Sequence, residues 1–351
     1  MQGQYNQFHT NRHWQTGKSV NVSSTEDTST IATISYQAAS AKSSLYRNGE
    51  VLIRRDQDGS DDHYKGPPRE EREVTIRNAR LLDHNQRRTI QVHGFELLTR
   101  PLSNSYVDFY DHQQVTQNYY TECAEIVRVE TGGSEVFAFD HNIRSATGKK
   151  NRQRIIGGQQ VQGPARTVHG DYTLTSGPQR LRDLAKPPSA NDTLRSILGE
   201  STPLLKHDMV DQVLDTKGRF AIINVWRNIA DEPVANHPLA LCDGQSVSPE
   251  DLVVFEIHYH DRVGENYFAK HADQHSWWYY PAMTRDEVLL IKQWDSIGEL
   301  AQSDGARADS SAGGEQAPCT FSFHTSFKDL TIPPEAPDRQ SIEVRCIVLY
   351  N

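Results

Sequence analysis

Short β-type segments separated by turn residues follow one another along most of the chain, and this pattern restricts its fold more than any other feature. The segments do not alternate with helices in the βαβ manner, so a doubly wound parallel sheet is disfavoured. We therefore predict an antiparallel sandwich or jelly roll, mainly β with flanking helices. The segments are 31–36, 73–79, 89–97, 135–141, 166–174, 219–227, 252–260, 266–271, 276–283, 287–294, 319–327 and 341–350.

Helical and polar segments complete the expected organisation. Apolar residues at helical spacing predict a helix from Val107 to a capping Gly132, and a second, short helix is expected near 192–199. Residues 1–30 are polar and are expected to be flexible. The polar stretches 56–73 and 303–318 are expected to be exposed loops, so that 31–351 forms a single domain.

Composition excludes several classes of protein. No apolar run reaches the ~18 residues that a membrane span needs, and the N-terminus lacks the apolar core of a secretory signal. The 37 Lys and Arg against 46 Asp and Glu give a net charge of −9, which disfavours nucleic acid and anionic membranes as partners. The four cysteines show no zinc-binding spacing and need no disulfide framework. We expect a soluble cytoplasmic protein; its oligomeric state stays open.

Two His-x-Asp triplets are candidate metal-binding motifs, His169-Gly-Asp171 and His271-Ala-Asp273. Alternate residues of a strand point to the same face, so a His and an Asp two positions apart can bind one metal ion together. A third ligand from a distant strand would complete a two-histidine, one-carboxylate site, which suits non-heme Fe(II) and leaves coordination positions open. His324 is the expected third ligand, since it lies late in the chain on a β-type run.

Topology favours the first triplet. Five β-type segments separate His169 from His324, as a jelly roll requires, whereas only two separate His271 from His324. His258 and His260 form a further His-x-His pair, but no carboxylate accompanies them at matching spacing. We therefore predict that His169, Asp171 and His324 are the metal ligands and catalytic residues, with His258 and His260 next in order.

The last β-type run carries a candidate anion site. An enzyme that uses 2-oxoglutarate must neutralise a carboxylate inside a poorly solvated pocket, and arginine can do so with two parallel hydrogen bonds. Arg339 and Ser341 form an R-x-S pattern, while Arg345 lies deeper in the run. The sequence does not choose between the two arginines, and the competing interpretation is an arginine paired with Glu343 at a sheet edge.

Four further residues are candidates for the lining of the site. Asn224 and Trp226 alternate onto one face soon after the first triplet, where Asn224 could contact the cosubstrate and Trp226 the substrate. Ile347 and Leu349 share the expected interior face of the last run and could close a pocket for a small substrate. The competing interpretation for all four is ordinary core packing.

Several of these motifs, in this order, resemble the fungal hydroxylase/desaturase family, which is related to the small chain of cephem 7α-methoxylase. The resemblance covers roughly residues 90–351 and rests on RTVHGDYT, RFAIINVWRNI with PLALCDGQSV, HSWWYYPAMTRDEVLLIKQWDS, and FHTSFKDL with APDRQSIEVR. It implies a double-stranded β-helix with Fe(II), 2-oxoglutarate and O2. It also implies hydroxylation, desaturation or oxidative cyclisation, such as aziridine formation, of a small natural-product or amino-acid-derived substrate in secondary metabolism.

The resemblance maps the metal ligands onto His169, Asp171 and His324, and the 2-oxoglutarate site onto the segment that contains Arg339 and Arg345. Two other classes of protein remain open. A cupin-like isomerase or cosubstrate-free dioxygenase would keep the metal ligands without using the interior arginine. A non-catalytic jelly-roll binding module would use neither.

Overall fold

The computed structural model describes residues 28–55, 61–189, 192–215, 218–260, 262–311, 316–330, 332–333 and 335–350. Most of the segment expected to be flexible, 1–27, lies outside this part of the chain. The strands in chain order are β1 (Ser29–Gln37), β2 (Leu52–Arg55), β3 (Asp61–Lys65), β4 (Arg69–Asn78), β5 (Phe95–Thr99), β6 (Glu135–Arg144), β7 (His169–Gly170), β8 (Phe220–Asn228), β9 (Leu239–Cys242), β10 (Leu252–His258), β11 (Val263–Ala269), β12 (Trp277–Tyr279), β13 (Glu287–Asp295), β14 (His324–Ser326) and β15 (Ser341–Leu349).

The strands form two sheets, and most neighbouring strands are antiparallel. The larger sheet has the order β1-β4-β12-β9-β14-β7-β11-β10-β2-β3, and the smaller has the order β5-β13-β8-β15-β6. Parallel pairing occurs between β10 and β2 and between β12 and β4. Isolated bridges from Ser35 to Thr167 and from Gln37 to Lys270 bring β1 back against the middle of its own sheet. The larger sheet therefore curls around an apolar cluster that includes Tyr36, Trp277 and Phe323.

The two sheets pack face to face. Trp226 and Leu289 of the smaller sheet share one buried cluster with Leu241 and Trp278 of the larger sheet. The opposite face of the smaller sheet is covered by the predicted helix, which runs from residue 112 to 131 with a π-helical turn at Val115–Tyr119. Gly132 ends this helix in the left-handed region at φ 68°, as predicted for its C-cap.

Helices are few and short. The short helix expected near 192–199 is confirmed as Arg195–Leu198. No helix in the described ranges is long and apolar enough to cross a membrane. The α-helical segments are His112–Gln114, Tyr120–Thr131, Ala146–Lys150, Ser176–Leu184, Arg195–Leu198, His207–Asp215 and Glu299–Gln302, and the 3-10 turns are Ala79–Leu81, His84–Gln86, Gly244–Ser246, Pro249–Asp251 and Asp309–Ser311.

The structure corrects the expectation of an exposed loop at 56–73. Within this stretch, Asp61–Lys65 is a strand and Arg69 begins β4, which pairs with β1 over nine residues. The second half of β4 was predicted as the β-type segment 73–79, but residues 69–72 were not, because all four are charged and none is an apolar residue that would mark a strand. Backbone hydrogen bonding to β1 supplies the order that the polar composition did not suggest.

In the stretch 303–318, expected to be an exposed insertion, residues 303–310 and 316–318 are exposed or half-buried except for Gly305 and Asp309. Asp309 is only 3% exposed and lies in a 3-10 turn, where its carboxylate accepts hydrogen bonds from the backbone N–H groups of Leu300 and Thr320. A buried carboxylate with these partners anchors the segment to the residues that lead into β14. The described part of this stretch is therefore attached to the core.

Candidate active site

Two very short strands of the larger sheet bring the predicted histidines together. His169 in β7 is the direct cross-strand partner of His324 in β14, and their ring centroids lie 4.3 Å apart. Asp171 follows β7 two residues after His169. One ligand atom from each of the three residues lies within 4.8 Å of the others, which is close enough for one metal ion to bind all three. The pairing of distant strands therefore creates the arrangement that the His-x-Asp spacing only suggested.

The surroundings of His169 and His324 keep both imidazole rings uncharged, which is the form that can bind a metal ion. The Nδ1 atom of His169 lies 2.8 Å from the carbonyl oxygen of Thr167, a contact that directs Nε2 toward Asp171 at 3.7 Å from Oδ1. Burial, followed by the charge of His324, lowers the pKa of His169 to about 4. Burial also lowers the pKa of His324, whose Nδ1 atom has no hydrogen-bond partner among the described residues. Both rings therefore offer lone pairs at neutral pH.

Asp171 is ionised although it is buried. Burial opposes its charge, but Arg345 and then the two histidines hold the pKa of the Asp171 carboxyl well below its usual range. Its Oδ2 atom accepts a hydrogen bond from Asn224 Nδ2 at 3.0 Å and one from Arg345 Nε at 3.3 Å. The site thus combines two neutral imidazoles with one carboxylate, the ligand set that suits non-heme Fe(II).

Arg345 already has several anionic partners. Besides Asp171, it contacts Asp140 Oδ2 through Nη1 at 2.8 Å and Glu343 Oε1 through Nη2 at 3.6 Å. The expected Arg345–Glu343 pair therefore exists, but β15 lies between β8 and β6 rather than at a sheet edge. The guanidinium of Arg345 is consequently occupied by carboxylates of the protein itself.

Arg339 is buried with most of its donors unused. It is 2% exposed, and its Nη1 atom donates to the carbonyl oxygen of His237. Its Nε and Nη2 atoms, together with the Oγ of Ser341, have no hydrogen-bond partner among the described residues. Burial, and then the nearby charge of Arg144, lower the pKa of Arg339 to about 9, which still leaves it protonated at neutral pH. Unpaired donors around a buried cation are what an anion-binding site requires.

One cavity is lined by both His169 and His324 and by Arg339. Trp226 forms part of its wall, with the Arg339 guanidinium 5.7 Å from the ring centroid. Ile347 and Leu349 are instead 0% and 4% exposed in an apolar cluster outside this lining. The cavity is lined by Arg144, Ala165, His169, Trp226, Leu239, His324, Thr325, Ser326, Arg339 and Glu343.

The remaining histidine candidates have other surroundings. His258 lies at the end of β10, where its Nε2 atom is 2.8 Å from Glu256 Oε2. His141 receives a hydrogen bond from Tyr120 or donates one to it, with 2.8 Å between Nδ1 and the hydroxyl oxygen. Neither histidine belongs to the group of three ligands that the described residues form.

Three residues of the site were not predicted from the sequence. Asp140 contacts Arg345, Arg144 lines the cavity, and the Oε1 atom of Gln293 accepts a hydrogen bond from the backbone N–H of Asp171 at 3.1 Å. Gln293 is a fully buried polar residue that follows the apolar run 288–291 in β13, and this is the signal that could have identified it, whereas Asp140 lies among other polar residues of β6. A buried polar side chain in such a strand needs a partner.

Comparisons with known proteins are consistent with this geometry. A family model described as "Oxidoreductase/YMDC permease-like domain" matches residues 34–199 and 200–349. The chain is 43% identical over 196 residues to a Methylophilus leisingeri protein described as "Uncharacterized protein in dcmA 3'region", covering 56% of this chain and 89% of that protein. It is 30% identical over 264 residues to the Fe(II)/2-oxoglutarate-dependent dioxygenase nvfI of Aspergillus novofumigatus, covering 74% of this chain and 77% of that protein.

A solved structure shows the same fold. The iron and alpha-ketoglutarate-dependent endoperoxidase NvfI superposes with a TM-score of 0.64 at 22% sequence identity. The superposition covers 92% of this chain and 99% of the NvfI chain. The two chains therefore share their architecture over nearly their whole length.

Proposed function

Since the chain belongs to the Fe(II)/2-oxoglutarate-dependent oxygenase family that contains the fungal hydroxylase/desaturases, we propose that it oxidises a small molecule at iron bound by His169, Asp171 and His324. The enzyme is a non-heme iron dioxygenase, and its cofactors are Fe(II), 2-oxoglutarate and O2. The observation that carries the residue assignment is the buried cluster of two neutral imidazoles and one ionised carboxylate within 4.8 Å. Iron with these cosubstrates supplies the oxidising power that cleaves a C–H bond.

We assign the far carboxylate of 2-oxoglutarate to Arg339 and Ser341. The support is the set of unused donors on these two side chains, together with the position of Arg339 in the wall of the cavity that His169 and His324 also line. A bound carboxylate would accept hydrogen bonds from Arg339 and Ser341 and would offset the mutual repulsion of Arg339 and Arg144. Arg345 fits this role less well, because Asp140, Asp171 and Glu343 already surround it.

The rest of the cavity would position and shield the substrate. Trp226 is proposed as an apolar wall, while Ile347 and Leu349 support the site from the adjacent apolar cluster. Exclusion of water by these groups would strengthen the charge interactions of Asp171 and Arg339. The substrate is proposed to be a small natural product or amino-acid derivative. Relatives from Cercospora beticola and Hormonema carpetanum bear the name hydroxylase/desaturase, which supports hydroxylation or desaturation as the reaction.

We also propose that the two sheets form a double-stranded β-helix within a single domain. This proposal is supported by the antiparallel pairing of β7 with β14 at the proposed metal site, since the strands β8 to β13 lie between them in sequence. A cosubstrate-free dioxygenase or isomerase on this architecture would leave Arg339 and Ser341 without a role. These unpaired donors therefore favour the 2-oxoglutarate-dependent reaction.

An anaerobic titration tests the proposal. Fe(II) and 2-oxoglutarate together should give the weak visible charge-transfer band of a chelated 2-oxo acid with the wild-type chain. His324→Ala should lose both the band and iron binding while keeping its thermal unfolding transition. A band of wild-type intensity in this variant would refute the ligand assignment, and His258 and His260 would be examined next.

A further inference from the structure

We infer that Arg345 and Asn224 act as positioning residues, forming a clamp on the Oδ2 atom of Asp171 that makes this carboxylate a one-oxygen metal ligand through Oδ1. The inference rests on the proposed function, because it takes Asp171 as a ligand. It assigns Arg345 a role in metal binding rather than in binding 2-oxoglutarate.

The two oxygens of Asp171 have different surroundings. Oδ2 accepts two hydrogen bonds, one from Asn224 at 3.0 Å and one from Arg345 at 3.3 Å. Oδ1 faces His169, with 3.7 Å between Oδ1 and Nε2. A metal ion that binds beside the histidines therefore meets Oδ1, while Oδ2 is held on the other side of the carboxylate.

The clamp is rigid because both of its members are fixed by the sheet. Arg345 in β15 and Asn224 in β8 are direct cross-strand partners, and their side chains lie on the same face. Asn224 is fully buried, and Arg345 is held from its other nitrogens by Asp140 and Glu343. Arg345 cannot turn away from Asp171 without breaking its contacts with Asp140 and Glu343, and Asn224 is confined by its full burial.

The clamp also joins the two sheets at the metal site. The histidines belong to strands of the larger sheet, whereas both clamp residues belong to the smaller sheet. Gln293 in β13 adds a third contact from the smaller sheet, through the backbone N–H of Asp171. The smaller sheet thus fixes the carboxylate and the larger sheet fixes the imidazoles. A carboxylate that used only one oxygen would leave more coordination positions of the metal ion available to the cosubstrates.

Co(II) binding to the apoprotein tests the clamp without requiring turnover. Arg345→Gln should raise the Co(II) dissociation constant about 10- to 100-fold, the range typical when a hydrogen-bond partner of a ligand is lost. Asn224→Ala and Arg345→Lys should each raise it by a smaller factor, because each keeps part of the clamp. Calorimetry gives the affinity, and the Co(II) d–d absorption reports a change from one-oxygen to two-oxygen coordination.

Arg144→Gln is the matched control. It removes a buried positive charge from the same cavity, but the Nη1 atom of Arg144 donates to the carbonyl oxygen of Gly163 rather than to Asp171. Co(II) affinity in this variant should stay within about threefold of the wild type. This change is well below the loss expected when a hydrogen-bond partner of a metal ligand is removed. Thermal unfolding of every apoprotein shows whether a variant still folds.

The outcomes separate the two proposals. Wild-type Co(II) affinity in both Asn224→Ala and Arg345→Lys would overturn the clamp, even if Arg345→Gln does not fold. Loss of affinity in Arg144→Gln equal to that in Arg345→Gln would also overturn it, since charge alone would then explain the result. Wild-type Co(II) binding by His324→Ala would instead contradict the metal site on which the clamp rests.

Discussion

The two His-x-Asp triplets have the same residues at the same spacing but different surroundings. The shortest distance between a histidine ring nitrogen and the aspartate carboxylate is 3.7 Å for His169 and Asp171, and 3.9 Å for His271 and Asp273. The Asp171 side chain, however, is 9% exposed, whereas that of Asp273 is fully exposed. Local geometry is therefore similar, and burial distinguishes the two sites.

The first triplet also has partners that the second lacks. His324 lies across from His169 in the adjacent strand and completes the group of three ligands within the described residues. His271 packs instead edge-on against Tyr36, with ring centroids 5.2 Å apart. Among the described residues, the same two-residue spacing therefore belongs to a cluster of three possible metal ligands only where a third strand and a buried carboxylate accompany it.

The strongest test of this comparison changes one carboxylate in each triplet. Asp171→Asn keeps the size of the side chain but removes the negative charge from the three-ligand site, so iron binding and turnover should be abolished. Asp273→Asn should leave both unchanged, because that side chain is surrounded by solvent. Calorimetric iron titration and 2-oxoglutarate consumption measure the two effects. Equal losses in the two variants would remove the distinction between the triplets.

A second test concerns the cationic group near each triplet. Arg339→Ala should weaken 2-oxoglutarate binding at least 100-fold, because loss of one partner of a buried charged pair costs about 3–5 kcal/mol. Arg339→Lys should give an intermediate increase in the KM for 2-oxoglutarate, since it keeps the charge without the planar donors. The control is Arg72→Ala, which removes a charge that acts on His271.

The expected result for Arg72→Ala is an unchanged KM for 2-oxoglutarate. Iron affinity should stay near the wild-type value in the Arg339 variants, since Arg339 makes no hydrogen bond to a predicted metal ligand in the described structure. A wild-type KM in both Arg339 variants would reassign the cosubstrate site, with Arg345 as the alternative.

The prediction with the smallest expected effect concerns the buried His141 and the dependence of the protein's stability on pH. Burial lowers the pKa of His141 to about 4, below the ordinary value of 6.5. The unfolded chain therefore binds a proton at this residue below pH 6.5, while the folded chain resists it. The contribution of His141 to stability is full above pH 6.5 and falls by about 3 kcal/mol as the pH decreases to 4.

Urea unfolding of the metal-free protein between pH 7 and 4 measures this dependence. His141→Gln should make the free energy of unfolding fall less steeply with decreasing pH than in the wild type. His271→Gln should change the dependence less, because the His271 side chain is 28% exposed. A wild-type pH dependence in the His141 variant would show that its ring does not resist protonation in the folded state.

Strand runs and the family resemblance could be read from the sequence because they depend on local patterns. The strands β8, β10, β11, β13 and β15 follow the predicted runs closely, and the helix that ends at Gly132 was also predicted, whereas β12 and β14 occupy only three residues of their runs and β9 was not predicted. Segments with exposed strands were harder to predict. The first four residues of β4, 69–72, are all charged and did not indicate a strand, although pairing with β1 defines the strand over its whole length.

The choice between Arg339 and Arg345 shows why part of the site could not be predicted. Both arginines lie on the same predicted face of the last strand run, and both side chains are mostly buried. The two arginines differ in the hydrogen-bond and ion-pair partners that neighbouring strands supply. Asp140 from β6 and Asp171 after β7 occupy Arg345, while two nitrogens of Arg339 have no partner in the described structure.

The sequence by itself determined the mainly β character, the His-x-Asp spacing, the late histidine and the R-x-S pattern. These features follow from residue type and from the two-residue period of a strand. Only the tertiary structure decided that β7 meets β14, that Arg345 contacts Asp171, and that Arg339 keeps unused donors. The physical reason is that burial and charge pairing depend on which distant strands become neighbours, and this is set by the packing of the whole chain.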